Sequence, residues 1–144
     1  MIDAIDQKIL TILQENARTP NAEVARQLGM APSAIFERIK KLEERGVLRG
    51  YVAQIDPGAL DLSLLAFVNV RTEDPVGSDA TARALAKGPE VQEVHHVAGK
   101  DCYLAKVRVK DTAALSKLMK ELGALPGVRA TRTTVVLETT KESF

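Results

Sequence analysis

The spacing of apolar residues changes once along this chain, and that change restricts it to a two-part architecture. Up to about residue 50 the spacing is helical: Ile5, Ile9, Ile12 and Leu13 recur at i, i+4, i+7 and i+8, the pattern of one buried helix face. Beyond Asp56-Pro57-Gly58 the apolar residues alternate or run together, as strands do. Leu64-Leu65-Ala66-Phe67-Val68-Asn69-Val70 is apolar on both faces, and Ala105, Val107 and Val109 share one face. A chain of 144 residues with both periods, one after the other, is an α+β protein rather than a single helical bundle or a β-sandwich.

The helical part divides at its turn residues. Asp3 is placed to cap a first helix, and Asp6 adds negative charge to its first turn. That helix fades near Asn16. Asn21 is expected to cap a short second helix carrying Val24, Ala25 and Leu28, with Gly29 as its stop. Pro32 suits the first turn of a third helix, where Ile35, Ile39 and Leu42 form one stripe and Gly46 ends it. Residues 47–55 then read as a strand-like run with a kink at Gly50. Three short helices followed by a β element describe a winged helix-turn-helix. The expected division is a winged helix-turn-helix over 1–50, a linker strand over 51–60, and a second domain over 61–144.

In that second domain the order of elements is β-α-β-β-α-β, the order of a ferredoxin-like sandwich. Strands are expected at 64–70, 91–98, 103–109 and 128–137. Ser78 caps a short helix through Ala82, Leu85 and Ala86. Asp111 or Thr112 caps a longer one carrying Leu115, Leu118, Met119 and Leu122, which Gly123 ends. The two halves echo each other, Phe67–Arg71 in Ala105–Val109 and Gly88–Val91 in Leu125–Val128. Two helices cover only one face of four strands. Leu65, Phe67, Leu104 and Val136 fall on the opposite parity from Leu64, Val68, Val107 and Val135, so the uncovered face is expected to be apolar and to pack on a second copy of the chain.

Twenty basic residues against nineteen acidic ones exclude binding of nucleic acid by bulk charge, so any DNA contact must come from where the charges sit. Five aromatic residues and no Trp argue against a single-strand-binding surface. One cysteine allows neither an intrachain disulfide nor a thiolate-rich zinc site. No secretion signal or membrane span is evident, so a cytoplasmic location is expected. Charge concentrates around the third helix. From Ser33 to Gly50 five basic residues (Arg38, Lys40, Lys41, Arg45, Arg49) face three acidic ones (Glu37, Glu43, Glu44), about +2. With the apolar stripe inward, Ser33, Glu37, Lys40, Lys41 and Glu44 point out, and Arg38 and Arg45 lie on the flanks. Such a helix fits the major groove of double-stranded DNA. Its bland alternative is a solvated face of mixed charge.

Residues 1–60 resemble the DNA-binding half of the Lrp/AsnC, or feast/famine, regulators. The matching pieces are Ile2-Asp3, Asp6, Ile9-Leu10, Leu28-Gly29, Pro32-Ser33-Ala34-Ile35, Arg38-Ile39, Leu42-Glu43, Gly46-Val47-Leu48, Gly50-Tyr51 and Asp56-Pro57. The β-α-β-β-α-β remainder is similar to that family's effector and oligomerisation domain. The resemblance implies a transcription regulator that dimerises through its C-terminal sheet, often builds octamers, and responds to an amino acid or related metabolite. The DNA contacts are expected on the third helix, at Ser33, Ala34, Glu37, Arg38, Lys40, Lys41 and Arg45. It also implies a serine cap where Ala31 stands here. Alanine accepts no capping bond, which costs about 1 kcal/mol.

The same resemblance implies that the connection Gly99-Lys100-Asp101-Cys102 lines an effector pocket at a subunit boundary. The family's pattern has Asp where this chain has Cys102, with Asp101 one place earlier. Lys100 and Asp101 offer charges to the carboxylate and ammonium of an amino acid, and backbone N–H groups near Gly99 suit a carboxylate. The bland reading is an ordinary hairpin with solvated charges. Thr131 and Thr133 share one face of the last strand and Thr134 the other. Thr133 is the candidate pocket contact, although threonine is also simply a good strand former. His95 and His96 are neighbours on a strand and point to opposite faces, so they do not serve one metal ion; one His per subunit with Cys102 across a dimer has no support in the sequence. No metal or cofactor is expected. No nucleophile–base pair, phosphate loop or paired carboxylates mark an enzyme. The competing function is a small-molecule-binding module whose helical half docks a protein partner.

Overall fold

The computed structural model describes residues 1–143. The chain forms two compact units, Met1–Gln54 and Ile55–Ser143, dividing inside the segment expected as linker.

The first unit contains three helices, α1 (Ala4–Glu15), α2 (Asn21–Leu28) and α3 (Pro32–Glu44). Asp3 caps α1 in a reciprocal box. Its carboxylate accepts the Asp6 N–H at 2.8 Å, and the Asp6 carboxylate reaches back to the Asp3 N–H at 3.4 Å. α2 differs from expectation. Pro20 takes the cap position and Asn21 is the first helical residue, with no side-chain cap. The proline side chain has no hydrogen-bond acceptor, so the helix starts without a capping bond. Gly29 closes α2 in the left-handed conformation (φ +64°). Ile9, Leu13, Val24, Ala25, Ile35, Ile39 and Leu42 form one core, with Val47 and Leu48 tucked against its edge.

The β element expected over 47–55 is absent from the described residues. After Leu48 the backbone is irregular, and Tyr51, Val52 and Ile55 are exposed. Strand-forming residues need a ladder partner, and the chain pairs none with this segment. The short helix that follows, α4 (Pro57–Leu60), is a 3₁₀ turn begun by Asp56, whose side chain accepts the Gly58 N–H at 3.0 Å. The first unit is therefore a helix-turn-helix without a strand wing.

The second unit is a four-stranded antiparallel sheet in the order β2-β3-β1-β4, from β1 (Leu64–Thr72), β2 (Val91–His96), β3 (Tyr103–Val109) and β4 (Val128–Val135). Two helices, α5 (Ala80–Ala86) and α6 (Thr112–Gly123), pack on one face. β2 and β4 stop two residues short of the expected ends. Asp79, not Ser78, holds the cap position of α5, and makes no side-chain cap bond. Asp111 caps α6 by accepting the Ala114 N–H at 2.8 Å.

Register settles the two faces. Ala66 faces Val107, Val68 faces Ala105, and Val70 faces Tyr103. These six lie under Leu85, Leu115, Leu118 and Leu122 and form the buried core. On the helix-free face Leu65 sits opposite Arg108, Phe67 opposite Lys106 and Thr134, and Asn69 opposite Leu104 and Arg132. That face corrects the expectation of a wholly apolar surface. Its apolar strip of Leu65, Phe67, Leu104 and Val136 is flanked by three cations. The Glu142 carboxylate lies 3.4 Å from Lys106 Nζ and 3.8 Å from Arg108 Nη2. The basic residues share the parity of the apolar ones, so period alone did not separate them.

Candidate functional site

The outer face of α3 follows directly from its core. With Ile35, Ile39 and Leu42 buried, Ser33, Phe36, Glu37, Lys40 and Lys41 are exposed, and Ala34 is half-buried on the flank. Lys40 and Lys41 form no ion pair among the described residues, so their charge is available to an anionic partner. Phe36 was missed as a surface residue. It lies at i+1 from a core position, and its 53% exposure could have been read from that offset.

Two of the expected DNA contacts have partners within the chain. Arg38 turns back onto α1: one guanidinium nitrogen donates to Asp3 at 2.7 Å and to Asp6 at 3.0 Å. The Arg38 hydrogen bond holds the Asp3 carboxyl below the usual Asp range, helped by the Asp6 N–H. Arg45 Nη1 donates to the Met1 carbonyl at 3.0 Å. Both arginines therefore fasten α3 to the N-terminal end of the chain; the Arg38 charge is paired with two carboxylates, while Arg45 stays exposed and bonds only a neutral carbonyl. Helical spacing places a side chain on a flank but cannot reveal a partner more than thirty residues away.

The α3 N-terminus has no side-chain cap at Ala31, as its sequence implies. Amide exchange at Ala34 to Glu37 in the DNA-free protein is therefore expected to be faster than at Ile39 to Leu42. Equal protection by hydrogen-exchange NMR would show that the missing cap is inconsequential.

In the second unit the expected effector residues do not converge within one chain. Cys102 lines a cavity of about 520 Å³ with Thr72, Asp74, Ser78, His96 and Tyr103. The Tyr103 and His96 rings lie 5.3 Å apart, and hydrogen bonding by Thr72 lowers the Cys102 thiol pKa. Asp101 points away from this cavity and pairs with Arg132 at 2.9 Å, toward the helix-free face. The two neighbours thus look to opposite sides, and Asp101 does not stand in for an acidic group at position 102. Gly99 (φ +140°) makes the turn, and Lys100 is exposed. Thr133 belongs elsewhere. It lines a separate cavity of about 510 Å³ with Thr112, Leu115, Met119 and Val135, and its hydroxyl donates to Met119 Sδ at 3.0 Å. The histidines separate as alternation requires. His95 lies on the helix-free face, 3.6 Å from Glu93, and His96 lies on the helix side.

Asp74, which lines the Cys102 cavity, was also missed. Its carboxylate accepts from the Thr81 N–H at 3.2 Å and from the Thr81 hydroxyl at 2.8 Å. Thr81 Oγ1 also lies 3.4 Å from the Pro126 carbonyl. This network ties the β1 exit to α5 and to the turn before β4.

Comparison with known proteins matches these two units. Residues 2–43 match the AsnC-type helix-turn-helix domain, and residues 65–144 match the Lrp/AsnC ligand binding domain. The chain is 40% identical to HTH-type transcriptional regulator FL11 of Pyrococcus horikoshii, over 99% of this chain and 93% of that one. It is 41% identical to the leucine-responsive regulatory protein of Escherichia coli, covering 99% and 88% of the two chains. Among solved structures it is similar to a transcriptional regulator of Neisseria meningitidis in complex with L-methionine, with TM-score 0.91, 32% identity and coverage of 99% and 94%. The helix-turn-helix is thus a DNA-binding unit and the sheet unit a ligand-binding one, and the chain belongs to the Lrp/AsnC family of transcriptional regulators.

Proposed function

We propose that α3 enters the major groove and presents Ser33, Glu37, Lys40 and Lys41 to DNA, with Ala34 at the backbone-facing flank. The observation that carries this is the free outer stripe of α3, from which Arg38 is withdrawn into a pair with Asp3 and Asp6 while Lys40 and Lys41 remain unpaired among the described residues. Two copies joining through the helix-free sheet face would bring two α3 helices to half-sites about one helical turn apart, or a multiple of it. The apolar strip of Leu65, Phe67, Leu104 and Val136 supplies the contact surface. An amino acid, the class of ligand present in the L-methionine complex of the Neisseria meningitidis relative, would be held in this chain beside Gly99-Lys100-Asp101-Cys102 and shift assembly. Asp101 is engaged by Arg132, while the Cys102 cavity offers the polar groups of Asp74, Ser78 and His96 beside apolar Val94 and Tyr103.

Replacing Lys40 or Lys41 with alanine is expected to weaken binding to every duplex. It should also flatten the dependence of log affinity on log salt by about 0.9 for each phosphate no longer neutralised. Fluorescence anisotropy of a labelled duplex from upstream of the protein's own gene, titrated at several salt concentrations, measures both quantities. Unchanged affinity and slope would remove α3 from the DNA interface. Light scattering with and without a panel of amino acids reads dimer against octamer and the effector response. A monomer unaffected by any of them would remove the sheet interface and the effector site.

A further inference from the structure

Phe36 is the one large apolar side chain of α3 that stays in solvent, 53% exposed, while Ile35, Ile39 and Leu42 are all below 9%. It lies in the N-terminal half of the helix, one turn from both Ser33 and Lys40 and next to Glu37. An aromatic ring on an otherwise polar face is costly in water, and this chain has only five aromatic residues to place. The ring has no role in the core of its own unit. The surface it occupies is the one that faces base edges when a helix-turn-helix docks, and the N-terminal half of a recognition helix is the part that reaches them.

The major-groove edge of a base pair offers one apolar group, the C5 methyl of thymine. A carboxylate such as that of Glu37 can accept from the amino group of cytosine, and an ammonium such as that of Lys40 can donate to guanine or phosphate. Neither distinguishes a thymine methyl from its absence. We propose that Phe36 is a specificity-determining residue that packs against a thymine methyl in each half-site, so that this chain prefers operators with thymine at that position. This rests on the reading of α3 as the groove-entering helix. An apolar wedge between base steps is the alternative use of such a ring, but it belongs to minor-groove binders that bend DNA, not to a helix lying in the major groove.

The test starts from a random-sequence duplex library enriched by the full-length protein. The enriched duplex is then synthesised with each thymine in turn replaced by uracil, which removes only the C5 methyl. The native protein is expected to lose about fourfold in affinity at one position of each half-site, the worth of one buried methyl. Phe36→Ala is expected to bind thymine and uracil versions equally there, with the salt slope unchanged. Lys40→Ala is expected to keep the discrimination while its salt slope flattens. The thymine-to-uracil ratio is taken within one protein, so it does not depend on the fraction that is folded. Persistent discrimination by Phe36→Ala, or none by the native protein at any thymine, overturns the assignment while leaving DNA binding intact. Failure to enrich any sequence overturns both this assignment and the reading of α3. Loss of a protein partner from Phe36→Ala without change in the thymine ratio also overturns it, in favour of a docking surface.

Discussion

Gly127→Ala is expected to destabilise the sheet unit by about 2–5 kcal/mol, measured by urea denaturation of the full chain. Two costs arise together. Gly127 has φ +90°, a conformation that a residue with a Cβ adopts only with strain. The added carbon would also lie 2.6 Å from both Asp74 Oδ1 and Thr81 Oγ1. These atoms cannot step aside freely. They are hydrogen-bonded to each other at 2.8 Å, Thr81 is 1% exposed, and the Gly127 carbonyl accepts the Glu73 N–H at 3.0 Å. Moving one leaves a buried polar atom without its partner, which costs about 1–3 kcal/mol in itself. Gly123→Ala is the control. It ends α6 with no atom within 4 Å of the new carbon, and is expected to be neutral or to stabilise by up to about 1 kcal/mol. A loss below about 1 kcal/mol at Gly127 would mean that the turn relaxes without strain.

Asp6→Ala is expected to have the largest effect on the helical unit. Asp6 is 8% exposed, completes the α1 capping box and accepts from Arg38. Losing one buried charge-assisted bond and part of a cap costs about 2–3 kcal/mol. A unit of this size buries a small core and has little stability in reserve. The full-length variant should therefore lose its lowest-temperature unfolding transition or show it well below that of the native chain. An unchanged transition would show that the Asp3–Arg38 pair suffices alone. Acid should act in the same direction. The Asp3 carboxyl is lowered by Arg38, so its stabilising contribution is complete above the ordinary Asp value of 3.8 and is lost as pH falls through the lowered one.

Much of this architecture was legible because period carries face. The helical spacing of Ile9, Leu13, Ile35, Ile39 and Leu42 named the first core. The alternation from Leu64 to Val70, and of Ala105 and Val107, placed the second core and both sheet faces, including the split of His95 from His96. Period could not carry partners. The ties from Arg38 to Asp3 and Asp6, from Asp101 to Arg132, and from Asp74 to Thr81 join residues far apart in sequence or across a turn. The first two gave Arg38 and Asp101 partners that their positions alone did not suggest, and the third involves a residue that the pattern did not single out. The wing failed for a related reason. Residues 47–55 have strand-forming side chains, but a strand exists only where a neighbour completes its ladder.

The pairing of Arg38 with Asp3 and Asp6 removes one cation from this reading head, on a chain whose overall balance is only +1. Attraction to arbitrary sequence grows with each phosphate neutralised, so a head of this kind holds bulk genomic DNA loosely. Selectivity is then easy to reach, because even a modest grip on the right operator stands well above so shallow a background.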